Sequence, residues 1–567
     1  MFKHQVLVVG GGLAGLRAAV ESAMMGVDTA VLSLLYPVRS HSGAAQGGIN
    51  AALANMPECA DDSPAKHAYD TVKGSDFLAD QDAAEIMTTD APKRIYELEH
   101  WGVPFSRLPD GRIAQRPFGG AGYPRTCYAA DKTGLYILHT LNEQTVKHNI
   151  KVYNEWAALA LASDGEMNHG LVALNLQTGE IGTFAADAVI IATGGAGRIF
   201  KRTSNSMQST GFGMSLAYRA GVALQDMEFV QFHPTTIIGT NILMTEGARG
   251  EGGYLINNQG ERFMQRYAPK AMELAPRDIV SRSIQIEINE GRGFPDGGGS
   301  VYLDLRHLGR EKILERLPGI RDICISFLGI DPIEKPIPIQ PGQHFIMGGI
   351  DTDKDGATRL LGLFAAGECA CVSVHGANRL GGNSLLECVV MGQRAGAAAA
   401  QYVQGKSSAL KEAVLNDTEK KVSSEVDALL KSDGKERLVT LRDAMAETMT
   451  DKVGVFRDKK PMQEALATIQ ELRARYRNIG VDAKHRKFNL DLLRTIELGG
   501  MLEVAETMAA GALAREESRG AHSRLDFPKR DDVNWMRHTL AYRTADGPRL
   551  EYELVVQTKW QPEERKY

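Results

Sequence analysis

At 567 residues the chain is too long for one hydrophobic core and has room for about three to four domains or subdomains. With 43% apolar residues, 24% charged residues and a formal net charge of −5, it has the composition of a soluble globular protein and no global electrostatic footprint for nucleic acid. No run approaches the ~20 apolar residues of a transmembrane helix, and six cysteines without a C-x2-C pair argue against iron–sulfur or structural zinc ligation within the chain.

Residues 5–10, QVLVVG, form an apolar run that predicts a buried parallel strand. It starts so near Met1 that no signal or transit peptide is expected, which points to the cytoplasm. Gly10, Gly12 and Gly15 follow in the G-x-G-x-x-G spacing, a helix runs to about Met25, and a second strand, Thr29–Ser33, completes a β-α-β unit. The first glycine permits a tight turn, the second lets a pyrophosphate approach the backbone, and the third lets helix pack on strand. The acidic residue expected after the second strand is absent, and Ser33 stands about there, so this unit alone does not choose the nucleotide.

Two more strand-to-glycine exits follow, ATGGAG at 192–197 and AAGE at 365–368, and Glu368 is placed to bond a ribose hydroxyl. A dinucleotide touched by three distant segments is enclosed FAD rather than exchangeable NAD. Between these exits, residues 232–343 change to mixed α/β character with loops, as an inserted domain would. From about Gly392 the pattern turns helical through Leu472, a Lys/Arg-rich connection follows, and a further helical stretch ends near Arg515. The tail is polar and carries Pro528, Pro548 and Pro562. The expected architecture is α/β: a doubly wound FAD-binding domain at 1–231 and 344–400, an inserted α+β capping domain at 232–343, a helical domain at 401–515 and a C-terminal segment at 516–567.

Several motifs go further. RSHSGAAQGG at 39–48, QFHPT at 231–235, TEGARGEGG at 245–253, RD-x-V-x-R at 277–282, HGANRLGGNSL at 375–385 and ESRGAHSR-x-DFP-x-RDD at 517–532 resemble, in order, segments of the succinate dehydrogenase and fumarate reductase flavoproteins. The resemblance covers nearly the whole chain. It implies FAD bonded covalently to His41 by an 8α-histidyl linkage, which would raise the flavin potential enough to accept electrons from a saturated C–C bond. It implies cofactor contacts at Gly10, Gly11, Gly12, Leu13, Ala14, Gly15, Ser33, Arg39, Ser40, Ser42, Ala45, Gly48, Ala192, Thr193, Gly194, Glu368, Asn383, Ser384 and Leu385. It further implies a dicarboxylate site of His233, Thr245, His344 and Arg379, lined by Phe118, Gln46 and Gly47, with Arg277 moving the proton through Glu246 and Arg249. Glu246 and Arg249 are three apart and meet if their segment is helical. One position departs from the family: relatives carry an acidic residue in a TGDG-like turn where this chain reads TGFG, with Phe212.

The expected activity is succinate oxidation to fumarate. Electrons would pass to an iron–sulfur subunit and a quinone-bearing membrane anchor that holds this chain, as a peripheral subunit, on the cytoplasmic face of the inner membrane. Gln46 and the Gly381-Gly382 pair favour that direction, with quinol:fumarate reduction as the alternative. L-aspartate oxidase, a relative with non-covalent FAD, and a non-catalytic flavin-binding module are the remaining rivals.

Overall fold

Strand β1 (Phe2–Val9) begins exposed and ends in four buried residues, which a strand covered on both faces requires. It lies parallel to β2 (Thr29–Ser33) on one side and to the Ile181–Ile191 strand on the other, with Val6 facing Thr29 and Ala188. The Ile181–Ile191 strand divides its pairing. Its front half runs antiparallel to Asn168–Asn175, and its last three residues run parallel to Leu363–Ala365. Segments far apart in sequence thus share one seven-stranded sheet. The computed structural model describes residues 1–405 and 410–565; residues 406–409, within the expected helical domain, and 566–567, within the C-terminal segment, lie outside the described residues.

Helix α1 (Leu13–Met24) packs on one face of this sheet against the long Asn383–Gly405 helix. The approach is close enough that a Cβ at Gly396 would lie 2.3 Å from the Ala18 carbonyl oxygen, so only glycine fits there.

The capping region carries its own antiparallel sheet, in the order Val230–Ile237, Ile337–Ile346, Val301–Asp304, Tyr254–Ile256. The first two of these strands are also the two connections to the flavin side. Val230 and Ile346, at one end, belong to the core beneath the large sheet, whereas Ile237 and Ile339, at the other, belong to the cap's core with Leu255, Val280 and Leu303. Entry and exit of the insertion therefore lie side by side on one paired ribbon.

The helices Glu412–Lys431, Leu438–Lys452, Lys459–Tyr476 and Leu490–Ala514 follow, the last mostly buried. The polar tail contains a hairpin, Arg537–Thr544 with Gly547–Leu554, whose first strand pairs with Leu224–Gln225 and extends a five-stranded sheet. Its buried residues His538, Thr539, Leu540 and Ala541 are consecutive and half polar, so no alternation marks the strand in sequence. Among the described residues no helix is long and apolar enough to cross a membrane.

Candidate active site

One cavity of about 870 Å³ runs from the carboxyl ends of β1 and β2 to the junction with the cap. At its first end the chain turns at Gly10, whose φ is +121° and where a Cβ would lie 2.2 Å from the Ala192 oxygen. That turn aims the first amides of α1 into the cavity, and the N-cap residue Gly12 has no side chain to cap them. A helix N-terminus so exposed is an anion site that suits a pyrophosphate. Leu13 N–H donates to Ser42 Oγ at 3.3 Å, tying the segment 39–48 to this turn. Ser40 Oγ, Thr193 Oγ1 and Asn205 Oδ1 are buried and have no hydrogen-bond partner among the described residues. Buried polar atoms without partners are costly, and three of them on one cavity wall fit a polar cofactor.

All the expected cofactor contacts line this cavity except three. Gly15 sits beneath the turn, against the Gly10 carbonyl. Arg39 is exposed and turned away, a correction that follows from its place at the end of the short Pro37–Arg39 turn. Asn383 is fully buried and braces the structure instead: its Nδ2 donates to Thr71 Oγ1 at 2.9 Å, and its Oδ1 accepts from Asn50 Nδ2 at 2.8 Å. Glu368 packs against Gly195 and accepts from the Ile346 amide at 3.2 Å; burial pushes its carboxyl up to about 8, so at neutral pH it holds a proton to donate. Phe212 is buried on the same wall, opening the Phe212–Arg219 helix.

His41 opens the short His41–Ala44 turn midway along the cavity, 3.4 Å from Asn205 Nδ2. Burial, then the Arg198 guanidinium, lower its pKa to about 4. The ring is neutral at physiological pH and keeps a nucleophilic lone pair.

The far end is built of charge. Arg277, the first residue of the Arg277–Asn289 helix, donates from Nε to Glu246 Oε2 at 2.7 Å, and Glu246 Oε1 accepts from the Gly119 amide at 2.7 Å. Burial alone would raise the Glu246 carboxyl, but Arg277 and then Arg249 hold it below its ordinary value. The Glu246–Gly250 segment is helical, and it brings Arg249 to 3.8 Å from Glu246; Arg249 itself lies behind the cavity wall. Arg379 is buried with its guanidinium over the Phe345 ring at 4.3 Å. Burial, then Arg277, lower it to about 9, still charged at neutral pH. Three guanidiniums face one carboxylate, so this end carries two excess positive charges and suits a dianion.

Neutral donors complete it. The Thr235 amide donates to His233 Nδ1 at 3.2 Å, which places the imidazole proton on Nε2. His233 Nε2 and Arg379 Nε are buried with no partner among the described residues, as is the Gln46 Oε1 acceptor. His344 Nδ1 lies 2.8 Å from Ser204 Oγ, and its ring meets that of His233 edge-on at 4.9 Å. Burial, then Arg277, hold both histidines well below their ordinary pKa. Thr245 caps the short helix through Gly247 N at 3.1 Å, and Phe118, Gln46 and Gly47 line the space between.

Sequence reasoning missed Gln231, Asn205 and Arg116. Gln231 Oε1 accepts from both Arg277 and Arg379, Asn205 spans His41 and the His344 carbonyl, and Arg116 holds the Gly47 carbonyl. Gln231 stood inside a quoted motif; the other two sit in stretches with no local signal.

Comparison with known proteins adds to this geometry. Residues 5–385 match the FAD binding domain model, and residues 442–567 match the model for the C-terminal part of the fumarate reductase flavoprotein. The chain is 46% identical to the fumarate reductase flavoprotein subunit of Mycobacterium tuberculosis strain H37Rv, covering 100% of this chain and 99% of that one. It is 48% identical to the succinate dehydrogenase flavoprotein subunit of Rickettsia bellii, covering 95% and 93%. Among solved structures, a variant of Escherichia coli quinol fumarate reductase FrdA superposes with a TM-score of 0.96 at 43% identity, covering 100% and 99%.

Proposed function

The chain belongs to the succinate dehydrogenase and fumarate reductase flavoprotein family and is an FAD-dependent oxidoreductase, and from that premise we propose that it oxidises succinate to fumarate within a succinate:quinone oxidoreductase. The carrying observation is the set of unpartnered buried donors, His233 Nε2 and Arg379 Nε, beside the Arg277–Glu246 pair.

FAD, when bound, supplies the hydride acceptor. The residues of the chain do the rest. Arg379 and His344, with Thr245 and His233, bind and orient the two carboxylates; Phe118, Gln46 and Gly47 exclude water around the reacting carbons. The proton on the carbon next to the one that loses hydride leaves for Arg277, which hands one of its own protons to Glu246 in the same step, since a guanidinium has no free acceptor. A guanidinium serves only as charge develops on the substrate, and Glu246, in direct contact, shares that charge. The onward leg is weaker: at 3.8 Å Arg249 is an ion-pair partner, and Glu246 must swing from the Gly119 amide to hydrogen-bond it.

His41 is the covalent attachment point, a role its neutral ring supports. The family resemblance assigns the chain an iron–sulfur partner and a quinone-bearing membrane anchor, and makes it a peripheral subunit on the cytoplasmic face of the inner membrane.

Acid precipitation of the protein tests the linkage: flavin stays in the pellet, and a yellow supernatant removes the covalent assignment. The purified complex, assayed in both directions with its native quinone, tests the activity. Faster succinate oxidation is expected. Faster fumarate reduction gives the second reading, quinol:fumarate reductase, favoured by the 0.96 TM-score to the E. coli enzyme. Absence of turnover in either direction rejects both.

A further inference from the structure

Two buried guanidiniums share one neutral oxygen at the charged end of the cavity. Gln231 Oε1 accepts from Arg277 Nη1 at 3.1 Å and from Arg379 Nη2 at 3.0 Å. A side-chain amide can sit in either of two orientations, and only one offers its oxygen; the other presses an NH2 group against two cations. The choice is made next door. Gln231 Nε2 donates to Asn378 Oδ1 at 2.9 Å and to the Arg379 carbonyl at 2.7 Å. Asn378 faces the same choice, and its Nδ2 donates to Asp278 Oδ1 and to the Gly74 carbonyl, each at 3.2 Å.

Asp278, with the Gly74 and Arg379 carbonyls, sets the polarity of the series, because each can only accept, and of the three it is the one that loses this property if it takes up a proton. It follows Arg277 in the same helix and is 5% exposed. A carboxylate so buried stays ionised only when paired. Arg282, one turn along the helix, supplies one partner at 2.9 Å. The other comes from the far end of the sequence. Arg565 Nη2 lies 2.8 Å from Asp278 Oδ2 and 3.1 Å from Asp76 Oδ2, bridging the cap helix to the FAD-binding domain. Burial pushes the Asp278 carboxyl up, and Arg565 is the strongest of the influences that reverse it. The segment bearing Arg565 is itself laid down on the flavin side: Gln81 Nε2 donates to the Trp560 carbonyl at 2.7 Å, and Gln81 Oε1 accepts from the Thr558, Lys559 and Trp560 amides.

We propose that Arg565, which does not touch the cavity, is a positioning residue for the active site: by bridging Asp76 and Asp278 it fixes, through Asn378, the orientation in which Gln231 holds Arg277 and Arg379. The proposal rests on the roles given to those two arginines under Proposed function.

The test uses the assembled, flavin-loaded complex and malonate as a non-reacting dicarboxylate, its binding read from the flavin spectrum. In Arg565→Gln, kcat falls about 10-fold, as expected for a reacting group displaced by a fraction of an ångström. The malonate dissociation constant rises no more than about 3-fold, because Arg379 keeps its Phe345 stack, and flavin content is unchanged. Arg565→Lys, which keeps the charge, stays within about 3-fold of the parent kcat. The double variant with Asp278→Asn turns over no more slowly than Asp278→Asn alone, since Arg565 acts through that carboxylate. A kcat within about 2-fold of the parent in Arg565→Gln overturns the proposal, as does a double variant showing the full product of the single effects. Should Arg565→Gln not accumulate, Asp278→Asn is compared with its Arg565→Lys double: equal kcat supports the proposal, and a multiplied loss overturns it. A parent complex unable to interconvert succinate and fumarate defeats the reading of the site itself, an outcome seen before any variant is made.

Discussion

The two ends of the cavity solve opposite problems. The flavin end presents backbone amides, glycine turns and hydroxyls, drawn from short contiguous motifs. The dicarboxylate end presents side-chain charge and imidazole from five separate stretches, at positions 233, 245–246, 277, 344 and 379. The difference is physical. One helix N-terminus can satisfy a pyrophosphate, so its site is local. Buried guanidiniums cannot stand alone. They need a carboxylate, a shared amide oxygen and an aromatic face, which here come from both domains.

This contrast can be broken at several points. Arg277→Gln keeps the shape and removes the charge at the charged end; turnover falls about 10³-fold or more while flavin content, read from absorbance, stays that of the parent. A parallel loss of flavin means the two ends are not separable. Gly10→Ala attacks the backbone end, placing a methyl against the Ala192 carbonyl, and flavin occupancy drops below about a tenth. Arg379→Lys retains charge but loses the planar fork; the KM for succinate rises about 30-fold with a smaller change in kcat, measured in steady-state assays.

Acid sensitivity sharpens the comparison. His233 and His344 have folded pKa values held well below the ordinary value by burial and then by Arg277. The unfolded chain binds protons there near pH ~6.5 that the folded chain refuses. Their stabilising contribution is present above that pH and is lost as pH falls through the folded values. The melting midpoint therefore drops as pH falls below ~6.5, less steeply in His344→Gln, which removes one such group. An identical slope in the variant places the sensitivity elsewhere. The smallest effect is expected at Phe212→Asp, which places an acidic residue on a wall that offers many other polar groups along its length: FAD occupancy changes by less than about 2-fold.

Much of the flavin end was legible because its signals are contiguous. Gly10 to Gly15 between β1 and β2, the segment 39–48 and the turn after Ile191 each announce themselves within about ten residues. The segment 232–343 reads in sequence as a change of character; it holds a sheet and a core cluster of its own, and its boundary strands run continuously from one core into the other. The antiparallel arm from Trp156 to Asn175 and the tail hairpin were not read, the first for want of any chemistry-bearing motif and the second because its buried residues are half polar. At the charged end, resemblance supplied residue types but not the connections. Nothing local to Gln231 reveals two arginines 46 and 148 positions away. Nothing local to Asn205 reveals His41, 164 positions away.

The cradle around FAD is stitched in a fixed order: the Ala192 amide donates to the Val9 carbonyl at 2.8 Å, and the Ala366 amide to the Ile191 carbonyl at 2.9 Å. A nascent polypeptide that has emerged from the ribosome only as far as its second glycine turn owns less than the whole berth. The remaining wall, from Ala366 to Leu385, arrives after the entire cap has been made. Flavin uptake is thus expected of the finished chain, and a fragment cut within the cap is expected to leave synthesis colourless.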